Sequence, residues 1–229
     1  MNRLVLALFA VSLAAPAGAK PRAAKLAPAT PVLVETPLPE DASQTTIHRL
    51  ANGLTVYLSP NQGEPRVAAR IVVRAGSKND PADSTGMAHY LEHMLFEGSA
   101  RLGTLDYDKE KPHLERIRAL YEDLFKTKGE AARAAVYKRI DAENAAAGAG
   151  AVPNELDRAY RAIGARGLNA STSDEETIYV VDIPSNRLEA WAALESDRFS
   201  SPVFRLFQSE LEAVYEEKNR SMDNAERIL

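Results

Sequence analysis

Between Gly86 and Phe96 the chain reads Gly-Met-Ala-His-Tyr-Leu-Glu-His-Met-Leu-Phe, an apolar run without proline, lysine or arginine. No other stretch constrains the fold as much. The run predicts a helix, with Asp83, Ser84 and Thr85 as candidate caps for its first turn. A helix apolar on nearly all sides is expected to be largely buried. At about 100° per residue, His89, Glu92, His93 and Phe96 fall on one side, and Ala88, Leu91, Met94 and Leu95 spread over the other. Two histidines four apart have Cβ atoms roughly 5–6 Å apart, so both imidazoles can reach one tetrahedral zinc at bonds of about 2.0–2.1 Å. A histidine pair alone favours hydrogen-bonded core residues. The full His-x-x-Glu-His pattern within a buried helix favours the metal.

Composition narrows the chemistry. The chain has 229 residues, 45% of them hydrophobic, which is enough for a real core. A net charge of −4 gives no basic footprint for nucleic acid. With no cysteine, disulfides, thiolate zinc sites and cysteine nucleophiles are excluded.

At the N-terminus, Asn2-Arg3, the apolar Leu4 to Ala15 and the small residues Ala17-Gly18-Ala19 resemble a signal peptide over 1–19, too short to span a bilayer comfortably. Export to a periplasm or to the outside, with no stable membrane anchor, is the expectation. Residues 20–43, with Pro21, Pro28, Pro31, Pro37 and Pro39, suit an extended linker.

From there the pattern alternates. Thr46 to Leu50 and Leu54 to Leu58 flank Asn52-Gly53 as a hairpin, and Arg66 to Arg74 is a third strand. Leu105 to Leu124 and Glu130 to Glu143 read as charged helices broken near Gly129, Ala145 to Ala151 as a loop, and Asn154 to Ile163 as a short helix. His113, in the charged stretch Lys109 to Arg118, reads as a solvated surface residue. Leu168 to Thr172 and Thr177 to Ile183 are strands, and Ser185 to Arg198 and Pro202 to Asn224 are helices. The order predicts an α+β fold with helices packed on a mainly antiparallel sheet.

A catalytic zinc usually has three protein ligands, so the histidine pair calls for a distant third. On a wheel centred on Glu210, Leu206, Phe207, Ala213, Val214 and Glu217 all lie within about 60°. Carboxylates on such an apolar face need a partner. A metal would serve, and so would salt bridges to Arg198 or Arg205.

The combination His89-Tyr90-Leu91-Glu92-His93 with Glu210-x6-Glu217 resembles the insulinase (pitrilysin) family of zinc peptidases. The block Gly86-x-Ala88-His89-x-Leu91-Glu92-His93-Met94-Leu95-Phe96-x-Gly98 is similar to that family's core. Asn169-Ala170-x-Thr172-Ser173 with Thr177-x-Tyr179, then Asp197-Arg198-Phe199 and Glu216-Glu217-Lys218-Asn219, extend the likeness over roughly 47–223. The stretch from about Gly103 to Ala165 looks like a helical insertion (about 104–165), and Ser171 stands where some relatives carry an aromatic.

The resemblance implies one zinc per chain on His89, His93 and Glu217, with Glu210 as an accessory acid beside it. It implies a peptide substrate held along Asn169 and Ala170 by strand addition, and Glu92 as the general base of a zinc-dependent endopeptidase. It further implies a domain over 44–229 that is incomplete at its C-terminus and works with a homologous second half or partner subunit. The competing expectation is a non-catalytic peptide-binding or scaffolding subunit of the same assembly.

Overall fold

The computed structural model describes residues 4–11, 32–36 and 40–222. Its strands are β1 (Leu4–Val11), β2 (Val32–Glu35), β3 (Thr46–Arg49), β4 (Thr55–Asn61), β5 (Arg66–Val73), β6 (Arg166–Thr172) and β7 (Thr177–Pro184). The helices are α1 (Met87–Met94), α2 (Tyr107–Lys126), α3 (Glu130–Gly148), α4 (Glu155–Ala162), α5 (Leu188–Ser200) and α6 (Phe207–Met222), with single 3-10 turns at Ser77–Asn79 and Ser185–Arg187. The strands form one sheet in the order β2-β3-β4-β1-β5-β7-β6. Only the β1–β5 pairing is parallel. The fold is α+β with a mainly antiparallel sheet, as the element order implies.

The chain divides into two compact units. The first draws on Met1–His93, Tyr160–Leu194 and Leu211–Leu229, and the second on Met94–Ala159 and Glu195–Glu210.

In the first unit the hydrophobic face is set by strict alternation along two paired strands. Val67, Ala69, Ile71 and Val73 of β5 are buried and stand opposite Ile183, Val181, Tyr179 and Thr177 of β7, which are buried too. Such cross-strand pairs are the units that stabilise a sheet, and burying each large aliphatic side chain contributes about 1.5–3 kcal/mol. The β3–β4 hairpin closes through Asn52-Gly53 as its sequence predicts, with Gly53 at φ 88° and the Asn52 side chain accepting from the Leu54 N–H at 3.1 Å.

Two further segments form strands that the pattern did not mark. Leu4–Val11, within the stretch that resembles a signal peptide, pairs with β4 on one side and β5 on the other. A continuous apolar run satisfies a leader and a buried central strand equally, so pattern alone does not separate them. Removing residues 1–19 would take this strand away and part β4 from β5. Val32–Glu35, within the proline-rich stretch read as linker, pairs with β3. The remainder of those two stretches, at 1–3, 12–31 and 37–39, lies outside the described residues.

The second unit holds the long hairpin of α2 and α3. Leu120, Leu124, Val136 and Ile140 form its core with Tyr121 against them, and Gly129, at φ 88°, precedes α3. The expected loop at Ala145 to Ala151 is mostly helix, because α3 continues to Gly148. Alanine is the strongest helix former, so a run of small residues was misread as a break. His113 is part-exposed, at 29%, and paired. Its Nδ1 lies 2.6 Å from Glu143 of α3 and 2.7 Å from Arg116. Hydrogen bonding to His113, and then to Arg116, holds the Glu143 carboxyl below its ordinary range.

A buried ion pair organises the rest of this unit. Arg205 donates to both oxygens of Glu110, at 2.7 and 2.9 Å, and to the carbonyls of Glu97, Ser99 and Leu102 at 2.8–3.1 Å. A Cβ on Gly98 would meet the Leu102 carbonyl oxygen at 2.4 Å, so only glycine fits there. The expected helix from Pro202 instead begins at Phe207, and Pro202 bridges to Ser99 in an irregular segment.

Candidate metal centre

The helix that presents the histidines starts from a carboxylate other than the three expected. Asp80 accepts from the backbone N–H groups of Gly86 at 2.7 Å and Ala88 at 2.9 Å, so it caps α1 in place of Asp83, Ser84 or Thr85. Gly86, at φ 94°, makes the turn into the helix. The helix is also less buried than its composition predicts, since Met87 is 51% and Leu91 40% exposed. Its buried residues are Glu92, on the polar side, and Met94, on the other.

His89 and His93 stack edge to face, with ring centroids 4.9 Å apart and Nε2 atoms 3.3 Å apart. Glu217, on α6, brings one carboxylate oxygen to 3.4 Å from His89 Nε2 and 3.6 Å from His93 Nε2. Ligands on tetrahedral zinc with bonds of about 2.0–2.1 Å stand roughly 3.3–3.4 Å apart, so these separations are those of three corners of such a site. Two imidazole nitrogens and one carboxylate oxygen, with a fourth direction left over, fit zinc of the catalytic type. Among the described residues this is the group of side chains placed to hold a metal ion.

Glu217 stands on a part of α6 that solvent reaches. Its side chain is 45% exposed, so it does not occupy a buried face in need of charge compensation. Of the two arginines named as salt-bridge partners, Arg205 pairs with Glu110, and Arg198 pairs with Glu195 at 2.5 Å. What brings Glu217 to the histidines is the tertiary placement of α6 against α1. Glu210 opens the first turn of the same helix and is not one of the residues whose ligand atoms converge.

Glu92 is not one of the three converging ligands. It is buried, at 7% exposure, and accepts a hydrogen bond from Thr172 at 2.5 Å. Asn169 and Ala170 lie on β6, which ends the sheet, opposite Val180 and Tyr179 of β7. Asp80, Thr172 and Thr177 contribute to the site's geometry without having been singled out for it. Their parts depend on tertiary proximity, which spacing along the chain does not report.

The sequence model of the family described as Insulinase (Peptidase family M16) matches residues 55–112, which carry β4, β5, α1 and the start of α2. Over these residues the chain is similar to the insulinase family. Insulin-degrading enzyme of Homo sapiens is 37% identical over 78 residues, 34% of this chain and 7% of that protein. Coenzyme PQQ synthesis protein F of Pseudomonas syringae is 43% identical over 65 residues, 28% of this chain and 8% of that one. Probable zinc protease PqqL of Haemophilus influenzae is 41% identical over 54 residues, 23% of this chain and 6% of that one. The matched part thus spans less than a tenth of each of these insulinase-family relatives. A crystal structure of pitrilysin superimposes with a TM-score of 0.47 and 21% identity, covering 76% of this chain and 14% of that one.

Replacing Glu217 with alanine is expected to abolish stoichiometric metal binding, because two histidines alone leave the ion without its anionic ligand. Metal analysis after dialysis against zinc reads the outcome directly. Tight, one-to-one zinc in this variant would remove Glu217 from the ligand set.

Proposed function

We propose that this chain is the zinc-bearing part of a metalloendopeptidase that hydrolyses peptides or unfolded polypeptide segments. The observation that carries the proposal is the convergence of His89, His93 and Glu217 at 3.3–3.6 Å beside the buried carboxylate of Glu92. The match of residues 55–112 to a peptidase family, and the likeness to a relative named as a probable zinc protease, support the same chemistry. Zinc held by the three ligands would supply Lewis acidity, polarising a peptide carbonyl and acidifying water toward a pKa of about 7.

The remaining work falls to the protein's own groups. Glu92 takes the proton that water gives up as it attacks, and returns it to the leaving amine nitrogen. Its position one residue before His93 sets it beside the ligands without making it one of them. The free side of β6 holds an extended peptide by main-chain hydrogen bonding along Asn169 and Ala170, which favours extended shape over particular side chains. A homologous second half or partner subunit completes the enzyme, and residues 1–19 direct its export to a periplasm or beyond the cell.

A non-catalytic peptide-binding subunit is the competing function, and the intact set His89, Glu92, His93 and Glu217 weighs against it. Cleavage of an unstructured fluorogenic peptide separates the two. Hydrolysis that disappears on dialysis with a chelator and returns with stoichiometric zinc is the expected result. Tight peptide binding with no chelator-sensitive hydrolysis would establish the binding subunit instead.

A further inference from the structure

A carboxylate that serves as a base has two oxygens, and the surroundings of Glu92 treat them differently. Oε2 accepts from the Thr172 hydroxyl at 2.5 Å. Thr172 is the last residue of β6 and stands opposite Thr177, the first of β7. The Thr177 hydroxyl donates to the Ala75 carbonyl at 2.9 Å and lies 3.2 Å from the Thr172 oxygen. Each hydroxyl has a single proton, and neither a carboxylate nor a carbonyl has one to give. The proton of Thr172 therefore goes to Glu92, while that of Thr177 goes to Ala75.

The hairpin that carries Thr172 is fixed on its outer side as well. Ser173 closes the turn by donating its N–H to Glu176 at 2.8 Å. The N–H groups of Ser77 and Lys78 bond the carbonyls of Ser173 and Asp174 at 2.9 and 3.0 Å. Gly76 is packed so closely that a Cβ there would lie 2.3 Å from the Ser173 carbonyl oxygen. A hydroxyl mounted on such a support defines a direction, as a supporting contact to a reactive group must.

We propose that Thr172 is a positioning residue for Glu92. Its hydroxyl holds Oε2 and sets the plane of the carboxylate, leaving Oε1 as the oxygen that takes the proton from water. The inference rests on Glu92 being the base. A purely structural alternative makes Thr172 a hairpin residue whose hydroxyl has merely found an acceptor.

The test compares Thr172→Val, Thr172→Ser, Glu92→Gln and the double variant T172V/E92Q, with zinc content measured throughout. Thr172→Val, which keeps the shape and removes the hydroxyl, is expected to lower kcat about 10-fold or more, with KM within about two-fold and zinc unchanged. Thr172→Ser is expected to restore kcat to within about three-fold, and T172V should cost nothing further once Glu92 is glutamine. In metal-free protein, a slowly exchanging threonine hydroxyl proton should be visible by NMR, absent from Thr172→Val and displaced in Glu92→Gln.

Unimpaired kcat in Thr172→Val overturns the proposal, as does a serine variant no better than valine. Loss of zinc or a raised KM alongside the fall in kcat, or failure to see the hydroxyl proton, would show a structural role only. If Glu92→Gln hydrolyses peptide as well as the parent protein, the base assignment fails and this inference with it. An inert Glu92→Gln beside an unimpaired Thr172→Val removes the positioning role alone.

Discussion

Glu92→Gln is expected to lower peptide hydrolysis by about 10²–10⁴-fold, the range that a positioned general base contributes, while zinc stays bound. The substitution preserves size and polarity at a site that is only 7% exposed, so packing is little disturbed. It removes the one property the mechanism needs, a lone pair basic enough to take a proton from water. The three converging ligand atoms belong to His89, His93 and Glu217, so the metal has no direct dependence on residue 92. Activity and metal content are therefore expected to separate in Glu92→Gln and to fall together in Glu217→Ala. Zinc lost along with activity in Glu92→Gln would make Glu92 part of the metal's support and would leave the base unassigned.

That separation follows from how differently the residues were legible. His89, Glu92 and His93 share one turn of α1, and their side of the helix follows from spacing alone. Glu217 lies far along the chain on another helix. Helical spacing placed it on a face with Glu210, and the likeness to the insulinase family chose between the two. The physical reason offered, a buried face, is not the one the structure supports, since Glu217 is 45% exposed. Convergence on the histidines is a tertiary fact, and no local pattern contains it.

Other elements divide along the same line. The β3–β4 hairpin, β5, β6 and β7 were legible because alternation and turn chemistry act over a few residues. The start of α6 was misplaced because proline near a helix start is a common signal, whereas here Pro202 bridges to Ser99 and the helix waits until Phe207. The cap on α1 was misplaced because Asp80 reaches forward over six and eight residues to Gly86 and Ala88, beyond the usual capping register. The role of Leu4–Val11 was ambiguous because one apolar run meets the requirements of a leader and of a central strand.

The largest effect on stability is expected at Arg205, which the sequence offered only as a cation for Glu210 or Glu217. Its partner Glu110 lies 95 residues away, and both are buried, at 6% and 4% exposure. Arg205→Met leaves a buried carboxylate without its cation, and breaking a buried pair in this way costs about 3–5 kcal/mol. Glu110→Leu should cost a similar amount by stranding the guanidinium. If the ion pair were the whole of the interaction, the double variant would be close to neutral, because an apolar pair of similar volume often replaces a buried salt bridge without loss. Arg205 also donates to the carbonyls of Glu97, Ser99 and Leu102, which the double variant leaves without that donor. The Leu102 carbonyl keeps the Ser99 N–H at 2.9 Å, but a buried acceptor left with no donor costs about 1–3 kcal/mol, so the double variant should recover only part of the loss. Chemical denaturation of the three variants tests this. Full recovery in the double variant would mean that the carbonyls find other donors and that Arg205 serves Glu110 alone.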